Sequence, residues 1–157
     1  MITDPAALWA LLMDNKMFIV MILFMAYRLH NSRKPLPKPL EGERTKSVSS
    51  LAEFESELAG ASKKDQALIV DFYAPWCPPC RTAAPIFGQM SIDTPNAVFL
   101  KVNVDDAKEV AQKQGVKAMP TFKLFVAGEE FKSIQGWNKT EVAEALAAAV
   151  AKAAGGD

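Results

Sequence analysis

The sequence predicts an α/β domain, a central mixed β-sheet flanked by helices, preceded by an N-terminal hydrophobic helix. Three observations predict it. From residue 47 onward, apolar β-branched runs of strand length alternate with stretches of helical periodicity. Two later strand-like runs flank Gly128 as a hairpin would. Ahead of all these stands an apolar run bare of formal charge. Strands separated by helices pair in parallel and a hairpin pairs antiparallel, so the sheet is mixed and covered on both faces.

In chain order, Met17 to Tyr27 is eleven residues without a charge. A spanning helix needs about 20 mostly apolar residues. The run is short, and a second apolar stretch, Ala6 to Met13, is cut from it by Asp14, Asn15 and Lys16. The expectation is an interfacial segment over 1–16 and a transmembrane signal-anchor helix over 17–29 crossing a thin or thinned bilayer. A cleaved leader fits less well, because Tyr27-Arg28-Leu29-His30 is a poor cleavage site. A mitochondrial presequence also fits poorly, since two aspartates and no arginine precede Arg28. No glycine occurs in this segment, so it offers no small-residue dimer motif.

Residues 30–46 read as a basic, proline-rich linker, with Pro35, Pro37 and Pro39 favouring an extended spacer. Six basic residues between 28 and 46 face only Glu41 and Glu43. Cations therefore follow the apolar run, and the positive-inside rule puts the downstream domain in the cytosol. The expected membrane is the endoplasmic reticulum or the mitochondrial outer membrane. The alternative is a mitochondrial or a soluble cytoplasmic protein.

The domain over 47–157 opens with Ser50 and Glu53 in capping-box spacing, then Leu51, Phe54 and Leu58 on one helical face, with Gly60 as a stop. Ala67 to Tyr73 is a strand. A helix follows from about Cys77 to about Gln89, kinked by Pro85. Val98 to Val104 is the next strand, and Asp105-Asp106 caps a short helix bearing Ala107, Val110 and Ala111 that Gly115 closes. Thr121 to Val126 and Phe131 to Ile134 make the hairpin. The last helix starts near Lys139 and buries Val142, Ala145, Leu146, Ala149 and Val150, ending at Gly155-Gly156.

Composition narrows the chemistry. Half of the 157 residues are hydrophobic, which excludes a wholly disordered chain. Lysine plus arginine equals aspartate plus glutamate at 18 each, so no surplus of cations suits it to nucleic acid. Two cysteines cannot build a multi-bridge secreted scaffold or a four-cysteine zinc site, and His30 lies far from them.

Trp76-Cys77-Pro78-Pro79-Cys80 follows a buried strand and opens a helix. Cysteines at this spacing on a first turn bring their sulfurs within bonding distance. The helix dipole favours a thiolate there, most of all at the more N-terminal and exposed Cys77. Redox exchange is the leading reading. Half a zinc site or an inert pair are the others, and zinc would need two further ligands.

The chain resembles the thioredoxin family in Val70-Asp71-Phe72-Tyr73-Ala74-Pro75-Trp76-Cys77-Pro78-Pro79-Cys80, in Pro85, in Lys101-Val102-Asn103-Val104-Asp105 and in Met119-Pro120-Thr121, with Gly128 and Gly136 in place. The resemblance covers about residues 47–152 and implies the thioredoxin fold. It implies that Cys77 attacks a substrate disulfide and that Cys80 resolves the mixed disulfide. It makes Asp71 a buried carboxyl with a raised pKa that relays a proton for Cys80, and Lys101 the ammonium that tunes it. Pro120 becomes a cis-proline facing the sulfurs, exposing the Met119 backbone to an extended substrate. Trp76 packs over the site and, with Pro78 and Pro79, forms the docking surface. One departure stands out: the commonest family dipeptide between the cysteines is Gly-Pro. Proline at position 78 stiffens the turn and removes an amide donor from the Cys77 thiolate.

The expected function is a membrane-tethered thiol–disulfide oxidoreductase that reduces protein disulfides through Cys77 and Cys80. No bound cofactor or metal is required. An NADPH-dependent flavoprotein thioredoxin reductase is the partner the resemblance implies, and the catalytic domain is expected to act as a monomer. A lumenal disulfide oxidase or isomerase and a membrane-tethered interaction scaffold are the alternatives.

Overall fold

The computed structural model describes residues 16–32 and 36–155. The chain divides into two compact units, Met1–Lys34 and Pro35–Asp157. The first holds α1, Lys16–Ser32, 17 residues long. At 1.5 Å per residue it extends about 26 Å, less than the ~30 Å hydrocarbon core. Among the described residues no helix is long and apolar enough to cross a membrane. The segment expected over 17–29 as a transmembrane helix is helical, and the described part of that helix is shorter than a full hydrocarbon core. Several of its apolar side chains are open, with Val20, Leu23, Met25 and Tyr27 each 61–65% exposed. The interfacial segment expected over 1–16 lies outside the described residues except for Lys16.

The second unit is a five-stranded mixed sheet with helices on both faces, as expected. In chain order come β1 Thr45–Ser47, α2 Leu51–Ser62, β2 Leu68–Tyr73, α3 Pro78–Asp93, β3 Val98–Asn103, α4 Lys108–Lys113, β4 Thr121–Val126, β5 Glu129–Gln135 and α5 Lys139–Gly155. The spatial order is β1-β3-β2-β4-β5. β3 pairs in parallel with β1 and β2, while β4 pairs antiparallel with β2 and β5. The apolar run of β2 follows from its place: it is central and covered on both faces, so five of its six residues are buried.

Strand alternation sorts the two cores. Ile69, Phe99, Phe122 and Leu124 meet Phe87 of α3 and Val142 and Leu146 of α5 on one face. Leu68, Val70, Phe72, Leu100 and Val102 meet Phe54 of α2 and Val110 of α4 on the other. Phe87 holds the first face together, with ring centroids 5.3 Å from Phe99 and 5.8 Å from Phe122. Asp71 and Lys101, in register across β2 and β3, fall on this α3 face by the same alternation.

Several local expectations shift. The capping box forms, with Ser50 Oγ accepting from the Glu53 amide at 3.2 Å. Gly60 does not stop α2, because Lys63 still donates to the Ala59 carbonyl at 3.1 Å. A glycine costs a helix only about 1 kcal/mol, and a continuing bond ladder outweighs it. The turn comes at Asp65, whose φ is +52°. Asp105 and Asp106 do not cap α4, whose N-cap is Ala107 without a side-chain bond, because both carboxylates are engaged elsewhere. α3 runs through Pro85 and on to Asp93, beyond the expected end near Gln89. Asn138 caps α5, accepting from the Thr140 and Glu141 amides, and Val150 is only half-buried beside the core. Gly156 lies outside the described residues. Ala127 and Gly128, both at positive φ, make the two-residue hairpin turn.

The linker expected over 30–46 is no free spacer at its C-terminal end. Glu43 donates its amide to the Leu40 carbonyl at 3.0 Å and Arg44 to Ser91 Oγ of α3 at 3.0 Å. Thr45 to Ser47 then adds the short polar edge strand β1.

Candidate active site

β2 delivers the chain to the site. After Tyr73 the backbone turns, closed by the Cys77 amide donating to Ala74 O at 3.1 Å, and α3 starts at Pro78. Prolines fit there because the first helical amides have no carbonyl to bond and proline's φ is already helical. Cys77 is the N-cap residue. It is bridged to Cys80, the two Cα atoms lying 5.3 Å apart. Pro78 and Pro79 carry no N–H, so the first amide of α3 is that of Cys80, and it donates to Cys77 Sγ at 3.4 Å. A thiolate at Cys77 would be met by a helix N-terminus and by that one bond.

Cys77, expected to be exposed, is 3% exposed and Cys80 is fully buried. The bridged pair is enclosed by Ala74, with Tyr73, Val104 and Met119 packed against it. The open rim is Trp76, Pro78 and Pro79. Trp76 is 44% exposed, and its indole Nε1 donates to Asp105 Oδ2 at 2.9 Å. The Met119–Pro120 bond is cis. Pro120 O accepts from the Gly136 amide at 2.8 Å, so the loop is tied to the end of β5.

Asp71 is 1% exposed, and neither carboxylate oxygen has a hydrogen-bond partner. Burial pushes its pKa up from 3.8 to about 7, against the attraction of Lys101, which lowers it. Lys101 is the register partner of Asp71 but is not bonded to it. Its Nζ lies 3.8 Å from Glu43 Oε1 and 5.8 Å from the centroid of the Tyr73 ring. Burial raises the Tyr73 pKa, as do the nearby charges of Asp71 and Asp106.

The structure thus gathers Trp76, Cys77, Pro78, Pro79 and Cys80 at the start of α3, and packs Met119, beside the cis-Pro120, against the cysteine pair. It sets Asp71 and Lys101 side by side in the sheet. Sequence reasoning missed Glu43, counted only as a linker charge, and Tyr73. It assigned Asp105 to a helix cap. The indole N–H of an exposed tryptophan, which needs an acceptor, was the signal that could have found Asp105. Among the described residues no cluster of three or more histidines, cysteines or acids could hold a metal ion.

The family model described as Thioredoxin matches residues 45–151. The chain belongs to the thioredoxin family. It is 41% identical over 101 residues to a thioredoxin of Ophiophagus hannah, covering 64% of this chain and 94% of that one. Thioredoxin-1 of Saccharomyces cerevisiae is 43% identical over 93 residues, covering 59% and 90%. Among solved structures, thioredoxin NaTrxh from Nicotiana alata superposes with a TM-score of 0.68 at 30% identity, over 73% of this chain and 99% of that one. The second unit is a thioredoxin domain carrying the family's paired cysteines, and its activity is thiol–disulfide exchange on protein disulfides.

Proposed function

We propose that this protein reduces disulfides of other proteins on the cytosolic side of a membrane, with Cys77 attacking first and Cys80 resolving. The observation that carries this order is the amide of Cys80 aimed at Cys77 Sγ, which makes Cys77 the sulfur prepared to hold negative charge.

In the reduced enzyme the Cys77 thiolate attacks one sulfur of a substrate disulfide. That S–S bond breaks, a Cys77–substrate bond forms, and the first substrate thiolate leaves. Cys80 then passes its thiol proton to Asp71 and attacks Cys77 Sγ. The Cys77–Cys80 bond of this structure forms, and the second substrate thiolate leaves. Two electrons have moved from the enzyme to the substrate. Asp71 suits the relay because a carboxyl with a pKa of about 7 gives and takes protons near neutrality. Lys101 supplies the neighbouring positive charge. Trp76, Pro78, Pro79 and Met119 form the surface that meets the substrate, with cis-Pro120 shaping the loop. A flavoprotein thioredoxin reductase drawing on NADPH restores the dithiol, in keeping with the family.

The Cys80→Ser variant tests the assignment. It should trap partners in complexes that a reducing agent dissolves, and Cys77→Ser should trap none. Identical partners on the wild type and both variants would make the domain a scaffold instead.

Membrane association and orientation form the second half of the proposal. The exposed apolar side chains of α1 and the basic residues after it support an anchor with the domain in the cytosol. The membrane would be that of the endoplasmic reticulum or the mitochondrial outer membrane. Protease added to sealed membranes should remove the domain without detergent. Protection until detergent is added would place it in a lumen, where the same cysteines would serve oxidation or isomerisation.

A further inference from the structure

Glu43 is spent in an unusual place for a residue of a proline-rich approach segment. Its side chain is only 4% exposed, yet it is charged. Oε2 accepts from the Leu40 amide at 2.9 Å, and Oε1 accepts from Thr45 Oγ1. It lies so close to α3 that a Cβ at Gly88 would come within 2.7 Å of Oε2, so Gly88 is the residue that leaves it room. The same carboxylate is the ion-pair partner of Lys101, whose side chain is itself only 12% exposed. Lys101 therefore stands among three groups: Glu43 in pairing range, the Tyr73 ring beneath its ammonium, and Asp71 in register but unbonded.

We infer that Glu43 is a positioning residue of the exchange reaction: by engaging the Lys101 ammonium it holds that charge off Asp71, and so sets how readily Asp71 takes and returns a proton. The inference deepens the proposed relay and rests on it for its bearing on catalysis. The physics is a competition for one cation. A buried carboxylate without hydrogen bonds has only nearby charge to offset its desolvation. Glu43 draws Lys101 away, which keeps Asp71 protonated to higher pH. The other groups around Asp71 do not substitute for it. On its own strand Tyr73 is the titratable neighbour, coupled in turn to Asp106. β4 offers Phe122 as register partner, while Lys123 points to the opposite face and pairs with Glu130 at 2.6 Å. The first turn of α3 carries the bridged cysteines, which do not titrate in this form.

The experiment is a titration of the Asp71 carboxyl carbon by NMR in the full-length bridged protein, read without turnover, so that it stands apart from the relay role itself. Glu43→Gln keeps the shape and an acceptor oxygen but removes the charge. It should lower the Asp71 midpoint by roughly half a pH unit to one unit. Lys101→Met should raise the midpoint, and in that background Glu43→Gln should have less than half its effect. Gly88→Ala, which displaces the carboxylate without touching its charge, should move the midpoint in the same direction as Glu43→Gln and provides the reading if Glu43→Gln folds poorly. An unmoved or raised midpoint in Glu43→Gln and Gly88→Ala would overturn the inference. So would an equal shift with and without Lys101, since Glu43 would then not act through it.

Discussion

Replacing Asp71 by asparagine is expected to stabilise the bridged protein at pH 8 far more than at pH 4. The carboxyl is buried without a hydrogen bond, and its pKa stands at about 7 against 3.8 for the free side chain. Below the unfolded value both states hold the proton and the group contributes no pH dependence. As pH rises past it the unfolded chain releases the proton first, which favours unfolding. The stability that the neutral carboxyl confers is lost progressively until the folded group ionises near pH 7. Three units of displacement correspond to about 4 kcal/mol at 1.36 kcal/mol per unit. Asparagine cannot ionise, and the cost of burying its amide is the same at every pH. The difference in unfolding free energy between variant and wild type should therefore widen by about 4 kcal/mol between pH 4 and pH 8. Urea unfolding across that range reads the difference directly, and contributions common to both proteins cancel. A difference that stays constant with pH would refute the reasoning, because Asp71 would then be ionised in the fold throughout.

Two further outcomes follow from the packing and the rim. Phe87→Ala should cost about 3–5 kcal/mol in urea unfolding, since it empties the contact between α3 and the rings of Phe99 and Phe122. Trp76→Phe removes the bond to Asp105 and should cost about 1 kcal/mol or less, read as a melting point lower by a few degrees. Its larger effect should be a raised KM for protein disulfides with little change toward a small disulfide, because the loosened ring belongs to the proposed docking surface.

The placement of the cysteine pair and of Asp71 was legible because its signals are local. A strand, a tight turn and a helix start bracket the cysteine pair within a dozen residues, and Asp71 is conspicuous as the lone acid in an apolar strand. What escaped was set by contacts distant in sequence. β1 is three polar residues that become a strand only because β3 offers a free edge. Glu43 sits 58 positions before Lys101, and no periodicity announces that an approach segment folds back under α3. Asp105 and Asp106 looked like helix caps because the residue types are right for capping. Only the three-dimensional neighbours, Trp76 and Asn103, decide that they are used otherwise. The exposure expected for Cys77 failed for a related reason: helix position alone does not report what Tyr73, Val104 and Met119 bring over the sulfurs.

The two outer strands of the sheet have a bearing on how the catalytic cycle ends. A thiol-exchange protein spends part of each turnover covalently joined to another polypeptide. An open strand edge would invite that polypeptide to add itself to the sheet and stay after the sulfurs had parted. Here β1 is only three residues long and carries Lys46. β5 shows Glu129, Glu130 and Lys132 to solvent, and its one exposed ring, Phe131, lies under the Lys152 ammonium at 5.4 Å. Short length and charge are what discourage strand addition. The sheet edges thus add no strand pairing to the disulfide that joins a client, and a client freed of that bond is not kept by the sheet.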